Sequence, residues 1–232
     1  MLGEKCGAKF ADEVIVLSEG VHQYFLDTYG RETHFIPNGV NKPNIREAKI
    51  IKDKFSLEKD DYILYLGRLV PDKGIKYLIK AFKNVKTDKK LVIASGSSNT
   101  DVFAQELKEL AKDDPRIIFT GFVQGKILEE LYSNAYVYTL PSDLEGMPLS
   151  LLEAMSFGNC CLVSNIEECA SVVEDKALIF KKSDVSDLQD KLQKACDDKE
   201  LVQKYKDETA DFIFKKYNWD NVVEETLKLF KE

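Results

Sequence analysis

Short runs of β-branched and aromatic residues alternate along this chain with longer stretches in which apolar positions recur every three or four residues. The runs predict strands at 14–17, 34–36, 62–66, 91–94, 117–120, 136–140, 160–164 and 177–180. The longer period predicts helices over 19–29, 46–55, 73–85, 102–111, 127–133, 148–157 and 169–173. Three further helices close the chain near 185–197, 200–216 and 219–231. Ser18 is placed to cap the first helix, and Ile75, Leu78, Ile79 and Phe82 fall on one face of the helix over 73–85. Pro37-Asn38-Gly39 is a turn signal, and 40–45, with Pro43 and two asparagines, reads as a linker.

Strands that are apolar throughout belong to a parallel sheet covered on both faces. The predicted fold class is therefore α/β, a Rossmann-like three-layer α/β/α domain with a parallel sheet. Such sheets bind ligands beyond the carboxyl ends of their strands. The loops after Leu66, Ala94, Thr120, Leu140 and Ser164 accordingly form the predicted functional rim.

Composition narrows the ligand. The 232 residues are 44% hydrophobic and 31% charged, enough for one large domain, or one domain plus a fragment of another. A net charge of -7 argues against a general nucleic-acid surface, so any anion must be met by a few placed cations. No run approaches about 18 apolar residues, and the N-terminus lacks the apolar core of a signal peptide. The five cysteines lack disulfide or metal spacing and read as free thiols in a reducing cytoplasm. With two scattered histidines and no Cys-x-x-Cys, no metal site is expected. Dinucleotide and P-loop glycine patterns are absent.

Candidate chemistry concentrates on the rim. Gly67 permits a close turn off its strand, Arg68 offers a planar cationic fork, and Lys73 adds a mobile charge where the next helix is predicted to open. Arg68 and Lys73 suit either phosphate oxygens or plain solvent. Phe122 and Val123 follow another strand, where Phe122 either packs under the rim or holds a flat base. The segment Glu145-Gly146-Met147-Pro148-Leu149-Ser150 leads into an apolar helix predicted to start at Pro148, a natural anion site. Glu153 lies inside that helix, which is predicted to be buried on most sides, so its carboxylate needs a partner. It sits ~7.5 Å beyond Pro148 at ~1.5 Å per residue, too far from Glu145 for a close acid–base pair. Separate ligand contacts fit better, although Glu145 as a solvated loop acid and Glu153 bonded to nearby backbone remain open.

Taken in order, Gly67-Arg68-x4-Lys73-Gly74, Gly121-Phe122-Val123, Leu131-Tyr132-Ser133-Asn134-Ala135, Pro141-Ser142 and Glu145-x7-Glu153-Ala154-Met155 resemble the family 4 glycosyltransferases. The resemblance covers residues 10–230. It implies a retaining enzyme of the GT-B fold, in which two Rossmann-like domains face each other across a cleft. It also implies roles. Arg68 and Lys73 resemble the pair that grips the donor diphosphate, Glu145 the donor-sugar contact and Glu153 the ribose contact. Gly146, Met147, Pro148, Leu149 and Ser150 match the helix start at the diphosphate, with Gly67 in the adjoining turn. Phe122 and Val123 match the segment touching the base, of UDP or GDP. No metal or other cofactor is implied; the chain has no Asp-x-Asp, and the nucleotide-diphosphate sugar is substrate.

Residues 11–18 resemble the last strand of the N-terminal domain of that family, and 37–40 the crossover between domains. The implied division is therefore 1–40, a remnant of the acceptor domain plus crossover, and 41–232, the donor-binding domain. The final helix is expected to pack back toward the other half. A glycan or lipid-linked acceptor would be bound by that half, and the chain alone would be inactive. Peripheral membrane association of a full cytoplasmic enzyme is compatible with the resemblance. Ser95-Gly96-Ser97-Ser98, Gly158-Asn159-Cys160-Cys161 and Asn165-Ile166-Glu167-Glu168-Cys169 depart from the family pattern and bear on donor identity. The other readings are a non-catalytic nucleotide-sugar-binding module and a GT-B relative with different chemistry, such as a sugar-nucleotide epimerase or a phosphorylase. For a phosphorylase, no lysine context for pyridoxal phosphate is identifiable.

Overall fold

A computed structural model describes residues 2–95 and 101–230. The strands β3 (Tyr62–Gly67), β4 (Lys90–Ser95), β5 (Ile117–Gly121), β6 (Val137–Leu140), β7 (Cys160–Ser164) and β8 (Leu178–Phe180) form one six-stranded sheet in the order β5-β4-β3-β6-β7-β8. Every pairing in it is parallel. The strands are covered on both faces. Tyr62 and Leu64 enter one apolar cluster while Ile63 and Tyr65 enter the other, all four without solvent exposure. This alternation across two buried faces explains why the strand sequences are apolar throughout.

The covering helices include α4 (Ile75–Phe82), α5 (Asp101–Ala111), α6 (Lys126–Asn134), α7 (Leu149–Ser156), α8 (Glu167–Val173), α9 (Val185–Asp197) and α10 (Lys199–Lys216). Helix α7 packs on α10 and β7, and α4 packs on α9. Strand order reverses between β3 and β6, with one series running outward through β4 and β5 and the other through β7 and β8. The loops leaving β3 and β6 lie side by side at this switch point, beyond the carboxyl ends of the strands, the general ligand position of doubly wound sheets.

A smaller parallel pair, β1 (Ile15–Val16) and β2 (His34–Phe35), brackets α2 (Glu19–Tyr29), whose N-cap Ser18 accepts from the Val21 amide. It is preceded by α1 (Leu2–Phe10), which sequence reasoning did not predict: its two glycines and weak apolar period conceal it. The pair leaves Ile15, Leu17, Val21, Tyr24 and Phe35 exposed. The closing helix α11 (Trp219–Lys228) has no buried residue and exposes Trp219, Val223 and Leu227.

Several boundaries differ from the sequence expectation. The helix predicted over 46–55 is only α3 (Ile50–Phe55), because α6 captures the preceding backbone. Ser133 Oγ accepts from the Arg46 amide, Glu130 Oε2 accepts from the Lys49 and Ile51 amides, and Asn134 donates to Arg46 O. The predicted start of α4 at Lys73 is also wrong. Pro71–Lys73 form a 3-10 turn, and Gly74 at φ +66° separates it from the helix. Helix α8 begins at Glu167 rather than Cys169. Gly96, Ser97 and Ser98 of the departing turn, and the predicted helix end at 231, lie outside the described residues.

Candidate functional site

Gly67 ends β3 where a side chain has no room: a Cβ there would lie 2.7 Å from the Tyr65 hydroxyl, which donates to Arg68 O at 3.0 Å. Burial, reinforced by the nearby Glu145 carboxylate, pushes the Tyr65 hydroxyl pKa well up, so Tyr65 serves as a neutral donor that fixes the turn. Arg68 is exposed and makes no side-chain hydrogen bond or ion pair among the described residues. Past the 3-10 turn, Gly74 touches the loop leaving β6 so closely that a Cβ would come 1.9 Å from Pro141 O. The two switch-point loops meet at this glycine, whose positive φ an L side chain adopts only with strain.

Beside that contact the loops are joined by charge. Lys73 Nζ lies 2.9 Å from Glu145 Oε1 and donates to Leu144 O at 3.1 Å; the two side chains are only 13% and 11% exposed. The buried Ser142 donates to the same Glu145 Oε1 at 2.7 Å. Asp143 ties in a third loop. Its amide donates to Asp72 O, Tyr77 donates to Oδ2 and Ser183 to Oδ1, each at 2.8 Å. The Asp143 bond is the first cause of a raised Tyr77 pKa. Because Lys73 belongs to the turn and not to a helix start, its charge is balanced by Glu145 instead of opposing a helix dipole.

Helix α7 starts one residue later than expected. Pro148 (φ -79°, ψ 80°) is its N-cap, with no side-chain cap, and Leu149 and Gly146 are exposed in front of it. Met147 is half-buried and its sulfur lies 3.1 Å from the Asn38 amide of the crossover. Ser150 accepts from Tyr138 at 2.8 Å. Glu153 is not buried, contrary to the expectation from its apolar helix. It is exposed on the face of α7 turned to the crossover, while Leu151, Leu152, Ala154 and Met155 take the core positions. Its Oε2 accepts from Tyr132 at 3.0 Å. Although solvent reaches the residue, neighbouring atoms withdraw water from the carboxylate and raise its pKa; the Tyr132 bond acts in the opposite direction.

Glu153 opens on a cleft of about 370 Å³ lined also by Tyr132, Leu149, Ser156 and Trp219 and by residues 39–44. Trp219 packs against Gly39, where a Cβ would come 2.8 Å from its ring. A second cleft of about 140 Å³ joins Leu17 and Phe35 to Gly146, Met147 and Glu167. Phe122 is 61% exposed, which excludes packing under the rim, while Val123 rests on the core; neither lines the Glu153 cleft. An open depression of about 710 Å³ along the α9–α10 junction contains none of the rim residues. Among the described residues no cluster of three metal-ligating side chains occurs, no helix is long and apolar enough to cross a membrane, and all five cysteines are free.

Sequence reasoning missed Asp143, Tyr77 and the roles of Tyr132 and Ser142. Tyr132 and Ser142 stand in segments whose order along the chain was informative, so a signal existed for them. Asp143 and Tyr77 carry no local signal, since their contact spans 66 residues.

The chain is 28% identical over 195 residues to an uncharacterized glycosyltransferase of Methanocaldococcus jannaschii, covering 82% of this chain and 48% of the relative. It is 27% identical over 194 residues to O-antigen chain mannosyltransferase B of Escherichia coli, covering 80% and 49%. The chain thus spans about half the length of these curated relatives. Among solved structures, sucrose-phosphate synthase of Thermosynechococcus elongatus superposes with a TM-score of 0.83 at 22% identity, over 99% of this chain and 60% of that one. HepE of Anabaena, solved with UDP and glucose, superposes with a TM-score of 0.87 at 17% identity, over 98% and 66%. These likenesses establish the shared Rossmann-like fold. The family model for glycosyl transferases group 1 matches residues 47–212, more than half of the chain, and the protein belongs to that family.

Proposed function

We propose that this chain is the donor-binding half of a retaining glycosyltransferase that takes a sugar from a nucleotide-diphosphate sugar. The observation that carries the reading is the switch point itself. Arg68, the Lys73–Glu145 pair and the uncapped start of α7 come from the loops that leave β3 and β6 at the switch point, where doubly wound sheets bind ligands. In this reading Arg68, Lys73 and the α7 start receive the diphosphate, Glu145 the sugar, and Glu153 the ribose hydroxyls. Gly67, Gly146, Met147, Pro148, Leu149 and Ser150 shape the turn and helix start, and Phe122 and Val123 border the base. The known complex of HepE with UDP supports a nucleotide ligand for this fold.

Charge builds on the leaving diphosphate as the glycosidic bond breaks, so cations and amides aimed there favour the transition state over the ground state. Arg68 and the α7 amides supply that role without calling on a metal. The acceptor, a glycan or a lipid-linked glycan, falls to a second domain of the full-length enzyme, which is cytoplasmic and peripheral to the membrane in this reading. Residues 1–40 are the portion of that domain present here, and 41–232 the donor domain. The exposed faces of β1, β2, α2 and α11 are apolar enough to be covered by it.

Calorimetric titration with UDP, GDP and their glucose and mannose esters tests the donor assignment. Arg68→Ala should reduce affinity at least tenfold, since it removes a bidentate phosphate donor; undiminished binding would remove Arg68 from the site. No sugar transfer is expected from this chain alone, and measurable transfer would show that the second domain is dispensable.

A further inference from the structure

Lys73 brings one positive charge to the rim, but Glu145 lies 2.9 Å away and Leu144 O takes another of the ammonium protons. Asp72 Oδ2 lies 3.9 Å from the same ammonium, so two carboxylates more than balance its charge. A diphosphate arriving at Lys73 either displaces Glu145 or shares the ammonium with it, and in both cases it stands beside a carboxylate of like sign. Glu145 is held in place for that encounter. Ser142, fully buried, donates to Oε1, the same oxygen that Lys73 holds. No described donor reaches Oε2, which leaves it open to accept a hydroxyl proton.

We propose that Glu145 is a specificity-determining residue that selects the sugar-bearing nucleotide over the free nucleoside diphosphate, and so favours departure of the spent nucleotide. The proposal rests on the assignment of the donor diphosphate to Lys73. A sugar hydroxyl bonded to Oε2 converts the carboxylate from a repulsive neighbour into an acceptor. The free nucleoside diphosphate brings no hydroxyl to that oxygen, and its terminal phosphate carries up to one more negative charge at neutral pH. Both differences act in the same direction, and specificity of this kind is built from a repulsive element as well as an attractive one.

Titrations of the 232-residue chain and of Glu145→Gln with UDP, UDP-glucose, GDP and GDP-mannose test this. Glu145→Gln should bind the free nucleoside diphosphate on the order of tenfold tighter, the effect of removing one charge a few ångströms from a phosphate at a partly solvated rim. Its affinity for the nucleotide sugar should fall or stay level, so the preference for the sugar-bearing form shrinks. Lys73→Gln, with Glu145 retained, should weaken both ligands. Melting curves establish that each variant is folded, and Glu145→Ala repeats the charge removal if the glutamine variant is not. Binding of both nucleotides to the unsubstituted chain, with a preference unchanged in the folded Glu145 variant, overturns the selection and leaves the donor assignment standing. Failure of every nucleotide to bind overturns the donor assignment, and the selection falls with it.

Discussion

The two carboxylates of the β6–α7 segment occupy opposite electrostatic environments. Glu145, on the loop, is almost enclosed, with a lysine and a serine hydroxyl sharing one of its oxygens. Glu153, on the helix, is open to a cleft, and its partner is the neutral hydroxyl of Tyr132. A paired carboxylate keeps its charge at little cost and holds its cation in place. An unpaired one, partly stripped of water, gains by meeting hydroxyl donors and is a poor neighbour for phosphate. The same side chain thus marks two kinds of electrostatic surface on one rim. The β3 and β6 loops offer cations and amides, and the outer face of α7 offers an acceptor.

The sharpest way to break this difference is to part the two loops. Gly74→Ala places a methyl against Pro141 O in a left-handed conformation, and should cost at least ~2–3 kcal/mol of stability in denaturant unfolding. Nucleotide affinity should fall with it, because the Lys73–Glu145 contact spans the parted loops. A variant as stable as the parent would mean that the loops separate freely and that their contact holds nothing in register.

Asp143→Ala removes two side-chain hydrogen bonds without creating a clash. A loss of about 1–2 kcal/mol is expected at this half-exposed position, with faster amide exchange across 141–147. Asp143→Asn, which retains an acceptor for Ser183, should recover about half. Unchanged exchange in the alanine variant would show that the Lys73 and Ser142 contacts of Glu145 and the backbone bond to Asp72 O hold the loop without the Asp143 side chain.

The contrast between the two glutamates also separates what could be read from sequence from what could not. Strands β3, β4, β6 and β7 were legible because burial on both faces fills their centres with apolar and aromatic residues, Thr139 of β6 being the polar exception, and a parallel sheet places its ligand loops by rule. Arg68, Lys73, Glu145 and Glu153 all fell on the predicted rim for that reason. The contact of Lys73 with Glu145 was hidden because it joins positions far apart in the chain. The positive φ of Gly74 moved Lys73 off the helix, and side chains of α6 held residues 46–49 away from α3. The exposure of Glu153 was hidden for a different reason. An apolar helix reads as buried on most sides, yet one outward position is enough to present a carboxylate.

Tyr132→Phe acts on the α7 side alone, where the hydroxyl it removes is shared between Glu153 and Ser150 O, 3.2 Å away. It removes the hydroxyl that stabilises the ionised carboxylate, so the Glu153 pKa should rise further, while the Lys73–Glu145 contact is unaffected. Loss of one hydrogen bond to a charged group with an exposed partner should cost about 1 kcal/mol. The titration of Glu153, followed by carbon-detected NMR of its carboxyl, reports the direction. A downward shift would assign the ordinary Tyr132 contact to the protonated acid instead.

The smallest effect is the stability of Glu153→Gln, and its pH dependence has a definite sign. A carboxyl whose pKa is higher in the folded chain than in the unfolded one supports folding fully below the unfolded value, and loses that support as pH rises through the folded value. Glu153 has a raised pKa through loss of water around its carboxylate, so it weighs against the fold at neutral pH. The neutral glutamine should raise the melting temperature by roughly one or two degrees at pH 7.5, a modest gain because Glu153 is exposed and screened. The gain should close below about pH 4, where the carboxyl is protonated in folded and unfolded chains alike. A glutamine variant that is less stable at neutral pH, and recovers on acidification, would place a cation beside Glu153 and make it a second Glu145. Destabilisation is the result expected of the enclosed, cation-paired carboxylate, so parallel melts of Glu145→Gln and Glu153→Gln should move in opposite directions at pH 7.5.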